Sequence, residues 1–403
     1  MAADAIEAAA PSRARIILIV AILLLLALLA GLLVVFYNLV KPGGTPQGEQ
    51  AADELRWERS MYGFGPSPDE QLQLPSSVAI APNGDVYATD PMRARIMIFR
   101  SDGTFRRLLH TGAGGTGPRQ FIRPEAIDID AEGDLYIADS WANKIIVFDA
   151  QGLYVREWPV EVQARGVGVT DDRVYVLDTG RVLVFDKQGT KLAGFGERGP
   201  QPGQIDAYQG ITGKDGFIYV AEPFNKRISA FTQDGDIKWV VPGGLASRGG
   251  PSRDATGTDG SASDAVPGHR WDLPQDLVFD AAGRLIVVDA FLFEVAVVDP
   301  KTGKVTAVYG DFGRNEGEFF YPTSIDYDPQ RDWFAIADTN NNRVQIVRIP
   351  GSANPGAAAL WRATSSPFRY LAVPLGLLLL AIGLGLWSGR ALLRRRAPLT
   401  DSV

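Results

Sequence analysis

Three features of this sequence predict an all-β fold, a six-bladed β-propeller flanked by two transmembrane α-helices. One strand-acid-loop-base phrase is written six times, Asn-Gly, Glu-Gly and Asp-Gly turns separate its strands, and an uncharged apolar stretch stands on either side.

The phrase first reads Val86-Tyr87-Ala88-Thr89-Asp90 before Arg95, then Leu135-Tyr136-Ile137-Ala138-Asp139 before Lys144. It returns at Val174 to Asp178 before Arg181, Ile218 to Glu222 before Arg227, Ile286 to Asp289, and Phe334 to Asp338 before Arg343. Subtracting neighbouring acid positions gives steps of 49, 39, 44, 67 and 49. Periods of that size mark radial or stacked repeats, and the long step reads as a loop inserted into one unit.

Each unit has room for four strands. Pro75-Ser76-Ser77-Val78 and Pro124-Glu125-Ala126-Ile127 open the innermost ones, and Asn83-Gly84-Asp85 and Glu132-Gly133-Asp134 turn into the acid-bearing strand. A third strand (Arg95 to Phe99, Lys144 to Phe148) is followed by a second tight turn (Ser101-Asp102-Gly103, Ala150-Gln151-Gly152) and an outermost strand. The sixth unit lacks its own outermost strand. Leu55 to Gly63 has the character of one, since Met61-Tyr62-Gly63-Phe64-Gly65 resembles Val308-Tyr309-Gly310-Asp311-Phe312-Gly313, so it is expected to close the ring and leave no free sheet edge.

The repeats fill 55–350, leaving no room for a second domain, and 46% hydrophobic residues supply a core. Ile16 to Val40 and Tyr370 to Gly389 carry no charge over 25 and 20 residues, enough to span a bilayer as helices. The first stretch is too long for a signal peptide and lacks a small-residue cleavage site, so it reads as an uncleaved anchor. The second lacks the Leu-Pro-x-Thr-Gly of a cleaved sorting signal. Arg13 and Arg15 precede the first, and Arg390, Arg394, Arg395 and Arg396 follow the second. By the positive-inside rule the tails 1–15 and 390–403 are cytoplasmic and the propeller is extracytoplasmic, joined by linkers 41–54 and 351–369. High Ala and Arg usage fits a bacterial plasma membrane. Small residues at Ala27/Gly31 and Gly385/Gly389 have the spacing of close helix contacts.

Composition excludes several functions. With no cysteine there are no disulfides, thiolate metal sites or Cys-attached haem. Taking the 6 bases and 3 acids of the tails from totals of 40 and 47 leaves 34 bases and 44 acids outside, net −10, a poor surface for nucleic acid. His110 and His269 are the only histidines, so no multi-imidazole zinc centre can be built, and both lie in apparent loops, where an exposed side chain with no role is expected.

On these residues the chain resembles NHL-repeat six-bladed β-propellers over about Leu55 to Gly351. Asp139-Ser140-Trp141-Ala142-Asn143-Lys144-Ile145 and Asp338-Thr339-Asn340-Asn341-Asn342-Arg343-Val344 match the kernel of that family best. The third unit is shortened at Thr179-Gly180-Arg181, and the fifth has Glu294 where the base belongs. The resemblance implies the fold; for function it implies binding platforms, sugar and lactone hydrolases or a zinc lyase.

Because the kernel acid and base recur in most units, they are expected to cap turns and pair locally rather than to catalyse. Aligning the strand-opening prolines puts Ser76, Glu125, Arg165, Gln209, Gln275 and Thr323 at one level of the channel rim, with Asp276 one step further. Glu125 and Asp276 offer oxygen ligands for a divalent cation; a solvated rim is the alternative, and no cofactor or metal is assigned. Met92, Trp141, Phe224 and the run Phe291-Leu292-Phe293 put apolar residues in kernel loops that the family fills with polar ones, as candidates for partner contact. Three consecutive apolar residues cannot easily all turn inward. The inserted loop Pro242 to Arg270, rich in Gly, Ser, Asp and Pro, emerges on the same face.

The expected function is therefore a membrane-anchored scaffold that binds other membrane or envelope proteins through its membrane-distal face, with the bilayer contacted by two helices. A lactonase-like hydrolase using Glu125 and Asp276, and a ligand sensor, are the alternatives. No reaction is assigned.

Overall fold

The computed structural model describes residues 54–109, 114–115, 117, 119–242 and 269–353. The two predicted spans, the tails, His110 and residues 243–268 of the inserted loop lie outside them. Among the described residues no helix is long and apolar enough to cross a membrane.

Six four-stranded antiparallel sheets form the fold. Their innermost strands are Val78–Ile80, Pro124–Ile129, Gly166–Val169, Ile211–Lys214, Pro274–Phe279 and Pro322–Asp328. We number the blades 1 to 6 in that order. The sixth is completed by the amino-terminal strand Arg56–Met61, which pairs antiparallel with Arg343–Arg348. Arg59 stacks over the Trp333 ring at 4.6 Å and Tyr62 donates to Glu316 at 2.8 Å, so side chains as well as the ladder hold this closing strand.

The strand register orients the chain. Arg56 faces Arg348 and Met61 faces Val344, while each kernel loop joins the acid end of one strand to the base end of the next, as at Asp338↔Arg343. The chain therefore enters and leaves the propeller on the face opposite to the kernel loops.

The second strand of each blade is apolar on both faces because both are covered. In blade 1, Val86, Ala88, Met97 and Phe99 pack against Ala335, Ala337, Val344 and Ile346 of blade 6. The alternate residues Tyr87, Ile96 and Ile98 pack against Leu135, Ile137 and Ile146 of blade 2. With period-2 alternation, continuous apolar runs are what a strand sandwiched between two neighbours needs. Each such Val, Leu or Ile contributes about 1.5–3 kcal/mol by burial.

Candidate functional site

The kernel acids are structural. The Asp139 carboxylate accepts from the backbone N–H groups of Ile122 (2.7 Å), Arg123 (2.9 Å) and Ala142 (3.1 Å). Asp289 accepts from Asp272 (2.8 Å), Leu273 (3.0 Å), Phe291 (3.0 Å) and Leu292 (3.1 Å). Each acid thus ties its own loop to the connection that arrives from the preceding blade. Turn capping was legible in the sequence; this second tie was not, because the connection lies some 17 residues upstream.

The bases vary. Arg95, Arg227 and Arg343 meet their acids at 2.8, 3.0 and 2.8 Å, whereas Lys144 reaches Glu157 at 3.0 Å instead of Asp139. In blade 5, where Glu294 stands in place of the base, Nε2 of His269 lies 2.6 Å from Oε1 of Glu294, and its ring meets Trp271 edge-on at 4.7 Å. His269 is therefore not the exposed loop side chain that its surroundings in the sequence led us to expect. It is nearly buried and partners the anomalous acid of its own blade.

The channel rim is tightly bonded. Gln209, only 4% exposed, reaches from blade 4 across the axis, and its Nε2 donates to the carbonyls of Ser76 in blade 1 and Thr323 in blade 6, each at 2.8 Å. The proline alignment had placed these three residues at one level. Glu125, 2% exposed, accepts from Nε of Arg123 at 2.6 Å, from Oγ of Ser140 at 3.0 Å and from the Tyr208 hydroxyl. Burial and the adjacent Glu125 carboxylate push the Tyr208 phenol up to about 12. Arg165 lies over the Tyr208 ring at 4.9 Å and donates to Gln163 at 2.8 Å.

Below this level the inner strand edges solve a hydrogen-bonding problem. Around the axis the innermost strands have no further strand to pair with, and a buried backbone N–H left unpaired is costly. Neighbouring blades supply the acceptors: Asp326 takes the Ile80 N–H at 2.6 Å, Asp128 that of Val169 at 2.7 Å, Asp276 that of Ile325 at 3.1 Å, and Ser77 that of Ile127 at 3.2 Å. Between blades 3, 4 and 5 the backbones instead approach closely where a glycine has no Cβ. A Cβ on Gly166 would lie 2.2 Å from the Gln209 carbonyl oxygen, and one on Gly210 would lie 2.4 Å from that of Gln275.

Burial raises all three channel aspartates. Asp276 is pushed up to about 6 and Asp326 to about 7, and Asp128 lies well above its usual range, with Asp326 and Asp276 adding repulsion. The oxygens of Glu125 are engaged by Arg123, Ser140 and Tyr208, and those of Asp276 by the Leu277 and Ile325 N–H groups. Among the described residues no three His, Asp or Glu side chains gather as a metal-ligand group.

On the kernel-loop face, Met92, Trp141, Phe224 and Phe291 are 56, 62, 56 and 50% exposed. The run at the tip of blade 5 divides: Phe291 faces out and meets the Tyr321 ring at 5.7 Å. Leu292 is half-buried, and Phe293, at φ 59°, turns in against Phe312 at 4.7 Å and Phe320 at 6.4 Å. Phe312 itself, 57% exposed, belongs to this face and was missed in the sequence because it sits in an inter-blade connection rather than a kernel loop. Beside Trp141 an open cavity of about 510 Å³ is lined by Ile122, Ser140, Asn143, Glu161, Val162 and Gln163.

The comparisons agree with this architecture. The family model DUF5128, described as "6-bladed beta-propeller", matches residues 69–167. No curated protein matches the sequence. Among solved structures, a protein of unknown function from Bacteroides thetaiotaomicron is 15% identical with a TM-score of 0.54, covering 73% of this chain and 76% of that one. An auxiliary nutrient binding protein from Bacteroides ovatus is 16% identical with a TM-score of 0.52, at 73% and 76% coverage. A virginiamycin B lyase from Staphylococcus aureus is 14% identical with a TM-score of 0.47, at 73% and 100% coverage. At these identities the likeness is one of fold alone: this chain carries a six-bladed β-propeller.

Proposed function

We propose that this protein is a membrane-anchored, extracytoplasmic NHL-type propeller that binds other envelope or membrane proteins through its kernel-loop face. The observation that carries the reading is the set of large apolar side chains standing half-exposed or more on that one face, drawn from blades 1, 2, 4 and 5 and from the connection to blade 6. Single exposed apolar residues need no explanation, but several on one side of a ring make a contact surface. The cluster is also ordered before any partner arrives, since Phe312 is held by Phe293 and by Phe320 at 5.3 Å. Preorganised aromatic side chains lose little entropy on binding and dominate interface energies.

Two further observations support it. Both described ends of the propeller lie on the opposite face, so anchors at 16–40 and 370–389 would leave the kernel loops free. The rim carboxylate Glu125 is engaged by Arg123, Ser140 and Tyr208, which favours a binding role over the hydrolase alternative. The test is a mild-detergent pulldown from native membranes comparing wild type with Phe291→Asp/Phe312→Asp. Phe293 is left intact because it packs inward. A stable set of partners lost in the double variant is the expected result; identical partners in both forms, or none in either, would sink the reading.

A further inference from the structure

The geometry points to a second, smaller site on the same face: the cavity beside Trp141 is a binding site for an uncharged sugar ring. It goes beyond the protein-contact reading and needs from it only that the face be accessible.

The cavity is built around a fixed platform. Arg123 lies over the Trp141 ring at 5.3 Å, and Nε of Arg123 is locked at 2.6 Å by Glu125, which is itself nearly buried and held by Ser140 and Tyr208. A cation stacked on one face of an indole fixes its orientation. Trp141 nevertheless remains 62% exposed, so its other face is open. A buried carboxylate network that steadies an exposed, otherwise unpacked tryptophan contributes little to the core. It presents a flat apolar surface at a defined angle.

The surroundings select the ligand class. Asn143 is exposed, its amide makes no hydrogen bond among the described residues, and Gln163 uses only its Oε1, towards Arg165. Both amides therefore have donors to offer, with Asn143 supplying an acceptor as well. Glu161, the charged residue of the lining, is paired with Lys191 at 2.9 Å, and Arg123 over the indole is paired with Glu125. A charged ligand would find no free counter-ion among the lining residues, and a purely apolar one would leave the amides unpaired. A pyranose matches both features, with a C–H face to lie on the indole and hydroxyls around its edge to exchange hydrogen bonds. At about 510 Å³ the cavity falls within the roughly 300–1,000 Å³ of small-molecule sites.

The test uses full-length protein in a detergent without a sugar headgroup, with triacetylchitotriose, maltotriose and a glucuronic acid oligomer as probes. Saturation-transfer NMR with calorimetry should show at least one neutral oligosaccharide bound, with magnetisation entering the C–H protons of one ring. Trp141→Ala should weaken binding at least tenfold, and Glu125→Gln, which removes the charge that holds Arg123, by a smaller factor; thermal melts establish that both variants are folded. Phe291→Asp should leave sugar affinity unchanged, so loss of protein partners and loss of sugar binding are read separately. Absence of transfer from both neutral probes, unchanged affinity in Trp141→Ala, or preference for the glucuronic acid oligomer overturns the assignment.

Discussion

Asp326 stands in the channel wall, where its carboxylate accepts from the Ile80 N–H of blade 1 and from the Tyr327 N–H at 2.7 Å. Those bonds favour the ionised form, yet burial outweighs them, and Asp276 and Asp328 add repulsion; the group is pushed up to about 7. An unfolded chain releases the same proton near 3.9. Between these values the native state holds a proton that the unfolded state has lost, so stability contributed by this group falls as pH rises from about 4 to about 7 and is level above that. The full rise corresponds to about 4 kcal/mol, and the partial exposure of Asp326 reduces this to the order of 2–4 kcal/mol. Asp326→Asn imitates the neutral acid at every pH and also relieves the neighbouring Asp128. Urea denaturation followed by tryptophan fluorescence at pH 4.5, 6, 7 and 8 should show the variant gaining on wild type by about 2–4 kcal/mol across the series. A stability difference that is flat with pH, or that favours wild type increasingly towards pH 8, would refute the argument.

Other perturbations read the same framework. Arg227→Ala removes the cation from a fully buried Glu222 and three donors from the carbonyls of Pro200, Gln201 and Gln204, and should cost about 3–5 kcal/mol in denaturant melts. The corresponding Arg181→Ala, at a half-exposed base 3.5 Å from Asp178, should cost under about 1 kcal/mol; equal losses would show that burial does not set the value of the motif. Gly166→Ala forces blades 3 and 4 apart, and a loss of about 1–3 kcal/mol is expected, with a wild-type melting curve as the contrary result. Gln209→Ala leaves the Ser76 and Thr323 carbonyls without their donor across the axis, and hydrogen exchange at the innermost strands of blades 1 and 6 should quicken, with a stability loss of about 1–3 kcal/mol.

The rim shows how far spacing alone can be taken. Aligning the blade starts, four of which carry a proline, brought Ser76, Gln209 and Thr323 to one level, because the period of a strand is strict. The same alignment set Asp276 one step from the level of Glu125, and in the structure both carboxylates are engaged by protein donors. Arg123, two residues upstream, and Tyr208, which comes from blade 4, both engage Glu125 from positions off the alignment, and Tyr208 meets it only in the closed ring. His269 was misjudged for a similar reason: its partner Glu294 is 25 residues away, beyond a kernel loop. Phe312 escaped notice because a loop search follows the repeat, and this residue lies between repeats.

What the sequence by itself determined is whatever repeats. Alternating apolar strands, glycine turns at fixed offsets and the orphaned sixth unit specify six blades and the amino-terminal closing strand, because each depends on local periodicity and on the need to leave no sheet edge unpaired. What only the tertiary structure decided is how unlike blades meet. Which carboxylate caps a neighbour's N–H, which glycine admits a neighbour's carbonyl, and which aromatic side chain faces out are set by contacts between residues far apart in the chain, 246 positions at Ile80 and Asp326, to which no local pattern is sensitive.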